Sequence, residues 1–189
     1  MCSCNTCRLA ATRRRVVLAP AEIAAADAIE HERCAEDIAA HCAPAYRADH
    51  STLTGRLAIG IQGARCEAAL AKYLGVSHIK GTPGAPDVAG YDVRGTQYLD
   101  GRLILHPRDL DERIYVLVVG PLTARHLAPR PYHLAFFVCG WIYGRAGKDK
   151  QWWDEPIGNG RPAFFVPQQA LMPIQSLPPL LTEGHKGGT

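Results

Sequence analysis

The 189-residue chain has no apolar run approaching the ~20 residues that a membrane-spanning helix requires, which argues against an integral membrane protein. The opening residues, Met1 to Cys7, lack the basic and apolar regions of a secretory signal, so a cytoplasmic location is expected. A large excess of either charge is also missing. A net charge of +3 permits nucleic-acid binding without arguing for it, because an electrostatic footprint depends on clustering. Arg13 to Arg15 and the group Arg145, Lys148 and Lys150 are such clusters, and solvated faces explain them most simply. Seven cysteines make an odd number without the spacing of a disulfide scaffold, so reduced thiols are expected. No internal repeat is visible.

What is present is the composition of a folded domain, 47% hydrophobic and 21% charged. The length suits one domain with a real core. Residues 1–15 read as a flexible Cys/Arg-rich tail, 16–177 as a single domain and 178–189 as a loose C-terminal tail. Pro20-Ala21-Glu22 opens an Ala-rich helix running to about Cys42, since Pro in the first turn and Glu just after it suit a helix start. After a loop from Pro44 to Thr54, a second helix is expected from about Gly63 to Leu74, with Gly75 as its stop.

Strand signals dominate after the Gly/Pro loop of residues 78–85. They cover Tyr91 to Thr96, Arg102 to His106, Ile114 to Val119, Leu134 to Tyr143 and Ala163 to Val166. Asp100-Gly101 predicts a hairpin turn, and the continuous apolar run of Ile114 to Val119 predicts a central strand covered on both faces. Short helices are expected in 144–153 and after Pro167. The sum is an α+β domain: helices, then a mostly antiparallel central sheet with short late helical pieces.

The chemistry-bearing residues lie between Glu67 and Arg94. Asp92 and Arg94, at i and i+2 of a strand, project from one face, and Val93 turns its side chain into the core while its carbonyl stays available as a ligand. Asp87 lies five residues before Asp92, so a straight strand would place it on the opposite face. Convergence needs a bend, for which Ala89-Gly90 is suited. Glu67 shares a helix face with Ala64, Ala71 and Leu74 and should point toward the sheet. Carboxylates and a cation so disposed could hold Mg²⁺ against a phosphodiester.

The ordered set of Glu67 in an Ala-rich helix, Pro86-Asp87, Asp92-Val93-Arg94, the Tyr115 to Val118 strand and Gly140-Trp141-Ile142 resembles the PD-(D/E)XK nuclease superfamily, in particular its small phage-type members. The resemblance covers roughly residues 16–177. It implies a restriction-endonuclease-like core with an added N-terminal helix, and hydrolysis of DNA phosphodiester bonds with Mg²⁺ or Mn²⁺ as cofactor. It implies that Glu67 supports the metal or its water and that Asp87 is the central ligand. Asp92 is the second acidic position, the Val93 carbonyl a further ligand, Arg94 stands where the family has lysine, and Gln97 is a polar residue beside the site. The implied partner is DNA, with a homodimer or a protein partner as a further expectation, in a bacterial host or as a phage-encoded protein.

Two departures stand out: the short interval from Asp87 to Asp92, and Arg94. A guanidinium stays charged and cannot serve as a base, although it can stabilise charge on phosphate; Lys72 or Lys80 are alternative amines. A non-catalytic accessory or nucleic-acid-binding protein that retains the fold is the alternative function. Each residue also has a plainer explanation: Glu67 as a first-turn helix carboxylate, Asp87 as a turn residue, Asp92 and Arg94 as an ion pair. Cys2, Cys4 and Cys7 with His31, Cys34, His41 or Cys42 could bind zinc, with a disordered tail the favoured reading. Cys66 and Cys139 read as small buried residues, and Trp152-Trp153 as loop anchors ahead of a base-stacking platform.

Overall fold

A computed structural model of the chain describes residues 13–40, 52–82, 84–122, 133–155 and 162–179. Two helices come early, β1 (Arg14–Leu18), α1 (Pro20–Ala39) and α2 (Leu53–Leu74) following one another, and the sheets follow. β2 (Asp92–Thr96), β3 (Leu103–Leu105), β4 (Ile114–Leu122) and β5 (Leu134–Tyr143) precede a one-turn helix α3 (Gly144–Gly147). β6 (Trp153–Asp154), β7 (Ala163–Val166) and β8 (Met172–Pro173) complete the strands. The class is α+β, as the order of periodic segments implies.

Among the described residues the main sheet runs β1-β5-β4-β2, with β8 also on β5. All its pairings are antiparallel except β2 with β4, which is parallel. A smaller sheet runs β3-β7-β6. The expected hairpin across Asp100-Gly101 therefore does not form. A turn closes there, with the Gly101 N–H donating to the Tyr98 carbonyl at 2.9 Å, but β2 and β3 enter different sheets. A parallel β2–β4 pair needs a crossover, and residues 97–113, carrying β3, provide it.

β4 is the centre of the molecule, and its alternation divides the core in two. Ile114, Val116 and Val118 face α2 together with Val16, Val93, Phe136 and Val138. Tyr115, Leu117 and Val119 face Leu103, Leu105 and Val166 of the smaller sheet. The continuous apolar run thus reflects cover on both sides. Ala64, Cys66, Ala68, Ala69 and Ala71 line the buried side of α2, and such small residues let its backbone approach the sheet closely. At Gly95 a Cβ would sit 2.8 Å from Cys66 Sγ, so glycine there is a packing requirement. Burying Leu70 completely contributes about 2 kcal/mol.

Two elements differ most from their expected extents. β1 begins at Arg14, inside the stretch read as tail, and pairs along β5 from Arg14↔Val138 to Leu18↔Leu134. α2 begins ten residues before Gly63, with Thr52 Oγ1 accepting from Gly55 N–H at 3.0 Å as its N-cap. Gly55, Gly60 and Gly63 weaken the helical signal locally, and packing against α1 overrides it. Glu67 consequently lies well inside the helix, which removes the first-turn explanation for it. Glu22 accepts from the Ala19 N–H at 2.7 Å and from Lys72 Nζ at 2.6 Å, and Arg65 grips Asp27 through two bonds of 2.7 and 2.6 Å, so ion pairs clamp α1 to α2. The 144–153 segment forms two short pieces, α3 and a 3₁₀ turn at Lys150–Trp152, and Pro167 introduces another 3₁₀ turn at Gln168–Ala170. No helix among the described residues is long and apolar enough to cross a membrane.

Candidate functional site

The bend that the spacing of Asp87 and Asp92 demands is a two-residue turn at Ala89-Gly90. Ala89 has φ 47° and Gly90 φ 88°, both in the left-handed region, and Val88 and Tyr91 form a bridge across the turn. The N–H groups of Asp87 and Val88 both donate to the Tyr91 carbonyl at 3.0 Å. The chain doubles back at once, so Asp87 Oδ2 accepts from the Val93 N–H at 2.7 Å. Val93 lies on the edge strand β2, and the N–H and C=O of one strand residue point to the same side. The Val93 carbonyl therefore shares the sheet edge that Asp87 occupies.

Strand alternation distributes the remaining groups. Val93 packs into the α2-side core, so Asp92 and Arg94 emerge on the opposite face, as expected. Asp92 is buried and accepts from Arg113 Nη1 at 3.1 and 3.4 Å. Arg94 donates through Nη2 to Asp109 Oδ2 at 3.0 Å, through Nε to the Ile104 carbonyl at 3.3 Å and through Nη1 to the Val93 carbonyl at 3.4 Å, and its guanidinium carbon lies 4.9 Å from the Tyr115 ring centroid. On the helix side, Arg33 grips both oxygens of buried Glu67 at 3.0 and 2.9 Å, and His78 Nε2 donates to Oε2 at 3.1 Å. Asp87 stands between these clusters and makes no ion pair with a described residue.

The electrostatics follow from that placement. Burial pushes the Asp87 carboxyl up to about 6; the bond from Val93 and the Arg94 charge oppose the rise, while the charges of Glu67 and Asp92 add to it. Burial also raises Asp92, against the pull of Arg113 and Arg94. Burial would raise Glu67 too, but the hydrogen bonds from His78 and Arg33 outweigh it and hold Glu67 below the usual carboxylate value. Desolvation works against the Arg94 cation, but Asp109, Asp92 and Asp87 together outweigh it and stabilise the charge, which reinforces its inability to act as a base.

A cleft of ≈ 230 Å³ opens beside Asp87, walled by α1 through Arg33, Glu36 and Asp37 and by the loop from Lys80 to Pro86. Lys80 lines it but is held by Glu32 at 2.8 Å and by Glu36, and Lys72 is held by Glu22. Gln97 lies exposed just past the end of β2. Among the described residues no three His, Cys, Asp or Glu side chains gather as a metal-binding group. Asp87, Asp92 and the Val93 carbonyl are nevertheless hard oxygen donors on one turn-and-edge element, a set that suits Mg²⁺, which takes one or two carboxylates and keeps several waters.

Arg33, His78, Asp109 and Arg113 are site residues that the sequence did not disclose. Each is remote in the chain from its carboxylate or guanidinium partner, and no spacing signals it. Cys66 and Cys139 are buried, and burial raises their thiols to about 12 and about 11, which keeps them inert. Trp152 packs against the second core and Trp153 meets Phe164 edge-on at 4.8 Å, matching the anchoring explanation. Cys2, Cys4, Cys7, His41 and Cys42 lie outside the described residues. Compared with known protein families, curated proteins and solved structures, the chain matches none.

Proposed function

We propose that the protein is a metal-dependent phosphodiester hydrolase acting on DNA, built on a restriction-endonuclease-like core. The observation that carries this reading is Asp87. It is a partly buried carboxylate with a raised pKa that makes no ion pair with a described residue, while Glu67, Asp92 and Asp109 each have a cation, and it sits at the same sheet edge as the Val93 carbonyl. A partly buried carboxylate without a paired cation is where a ligand cation would find its place. Asp87, Asp92 and the Val93 carbonyl would hold Mg²⁺ or Mn²⁺, with Glu67 orienting groups from the helix side. When bound, the ion would polarise a phosphoryl oxygen and acidify a nearby water.

The chain's own residues divide the remaining work. Glu67, fixed by Arg33 and His78, presents beside Asp87 a carboxylate whose ionised form those two bonds favour. Arg94 contributes fixed positive charge, screening Asp87 and Asp92 from each other, and takes no proton. The test is incubation of purified protein with Mg²⁺ or Mn²⁺ and linear, nicked, branched and single-stranded DNA. Cleavage abolished by Asp87→Ala and by Asp92→Ala is expected; equal activity in parent and both variants would overturn the assignment.

A second reading, a non-catalytic DNA-binding or accessory protein that retains this core, is favoured by one observation. Arg94 spends its donors on Asp109, Ile104 and the Val93 carbonyl and stacks on Tyr115, which describes a structural arginine. DNA binding without cleavage under every metal condition would select it.

A further inference from the structure

We propose that Arg113 is a positioning residue of the Asp87–Asp92 site: its guanidinium fork joins Asp92 to the loop that leads into Asp87 and so sets the spacing of the two carboxylates toward a divalent cation. The inference rests on the metal-dependent reading above.

Three observations combine. First, Arg113 Nη1 donates to both oxygens of Asp92 at 3.1 and 3.4 Å, while Nη2 donates to the Gly84 carbonyl at 2.5 Å. One planar group therefore bridges the strand bearing Asp92 and the cleft-lining loop three residues before Asp87. Lysine offers a point charge and cannot make the same fixed fork. Second, Arg113 is itself mounted rigidly. Its carbonyl accepts from the Gly144 N–H at 2.9 Å, and a Cβ at Gly144 would stand 2.1 Å from the Leu110 carbonyl oxygen, so the chain segments are in tight contact where β4 begins and β5 ends. Third, past Lys80, which Glu32 and Glu36 hold, the described loop residues have few other ties. Its internal bond is the Ala85 N–H to the Thr82 carbonyl at 3.0 Å, and beyond it the chain is fixed by the Asp87 and Val88 bonds to Tyr91. Without the bridge, the loop is tethered only toward its ends, at Lys80 and at Asp87, and Asp92 loses its cation while remaining buried. A site's geometry depends on such supporting contacts as much as on its ligands.

The experiment titrates Mn²⁺ into the full-length parent, Arg113→Gln and Arg113→Lys by calorimetry, and follows amide hydrogen exchange in the same proteins without metal. The parent is expected to bind Mn²⁺ with a dependence on Asp87. Arg113→Gln should lower that affinity by about tenfold or more, and Arg113→Lys should fall between the two. Exchange at the Val93 amide, which donates to Asp87, should quicken by about tenfold in Arg113→Gln, while the amides of Val116 and Val118 in the central strand keep their protection. Affinity within about twofold of the parent, or tighter binding in Arg113→Gln, overturns the inference, the latter because Arg113 would then be competing with the metal. If the parent binds no Mn²⁺, the metal-dependent reading fails by itself. The Val93 amide then decides Arg113 alone: unchanged exchange overturns its positioning role, and selective loss of protection supports it.

Discussion

Replacing Asp87 with asparagine should make the protein more stable at alkaline pH and leave it little changed in acid. The folded-state carboxyl titrates at about 6 against an ordinary 3.8. A raised carboxyl pKa means that the folded state binds the proton more tightly than the unfolded chain. The associated stability is fully present below about pH 4 and is lost as pH rises through about 6. A difference of about two pH units at 1.36 kcal/mol each makes ionised Asp87 a burden of roughly 3 kcal/mol above that range. Asparagine keeps a side-chain oxygen to accept from Val93 and carries no charge for Glu67 and Asp92 to repel. Urea denaturation of both proteins at a series of pH values reads the effect. Their unfolding free energies should nearly coincide near about pH 4 and diverge to roughly 2–3 kcal/mol in favour of Asp87→Asn by about pH 8. Saturating Mg²⁺ should narrow that gap by stabilising the parent alone. Parallel pH profiles, or an asparagine variant less stable than the parent at about pH 8, would refute the claim that Asp87 is held against its own electrostatics.

Three further outcomes follow from the packing and the ion pairs. Gly95→Ala drives a methyl into Cys66 Sγ and should cost about 1–3 kcal/mol by urea denaturation, with Cys66→Ala in the same chain restoring part of the loss. Glu67→Gln leaves Arg33 and His78 without their carboxylate and should cost about 1–3 kcal/mol. A double-mutant cycle with Arg33→Met should return a coupling of about 1 kcal/mol or more, and additive effects would show that the pair contributes nothing. Ala89→Gly relieves a left-handed alanine and should raise stability by up to about 1 kcal/mol in thermal unfolding, whereas a loss would mean that the turn is not strained at Ala89.

The parts of this molecule that were legible in the chain are those governed by local pattern. β5 and β7 occupy the stretches their β-rich runs mark, Val93 is buried between two charged residues on the opposite face of β2, and the bend falls at Ala89-Gly90, within the interval between the two aspartates. What was hidden depends on long-range pairing. The Asp-Gly signal at residues 100–101 is a true turn, yet the preference of β2 for a parallel seat beside β4 cannot be read from the turn. β1 was obscured because Arg14 and Arg15 resemble a solvated tail until β5 supplies a partner. The early turns of α2 contain three glycines, and their helical state is imposed by the neighbouring helix. In the site, the acidic residues were visible as an ordered set. The cations that hold them, Arg33 from α1, His78 from a loop and Arg113 from the start of β4, were not, since no periodicity connects them to Glu67 or Asp92. The cationic partners decide which carboxylate remains uncompensated, and that is a tertiary property.

The most direct measurement is the anomalous diffraction signal of crystals soaked in Mn²⁺. If Asp87 is the carboxylate kept free for a divalent cation, a peak should appear within about 2–2.5 Å of Asp87 and Asp92 oxygens and of the Val93 carbonyl. Its occupancy should vanish in Asp87→Ala crystals. An empty site at saturating Mn²⁺, or a peak that ignores Asp87, would contradict the account.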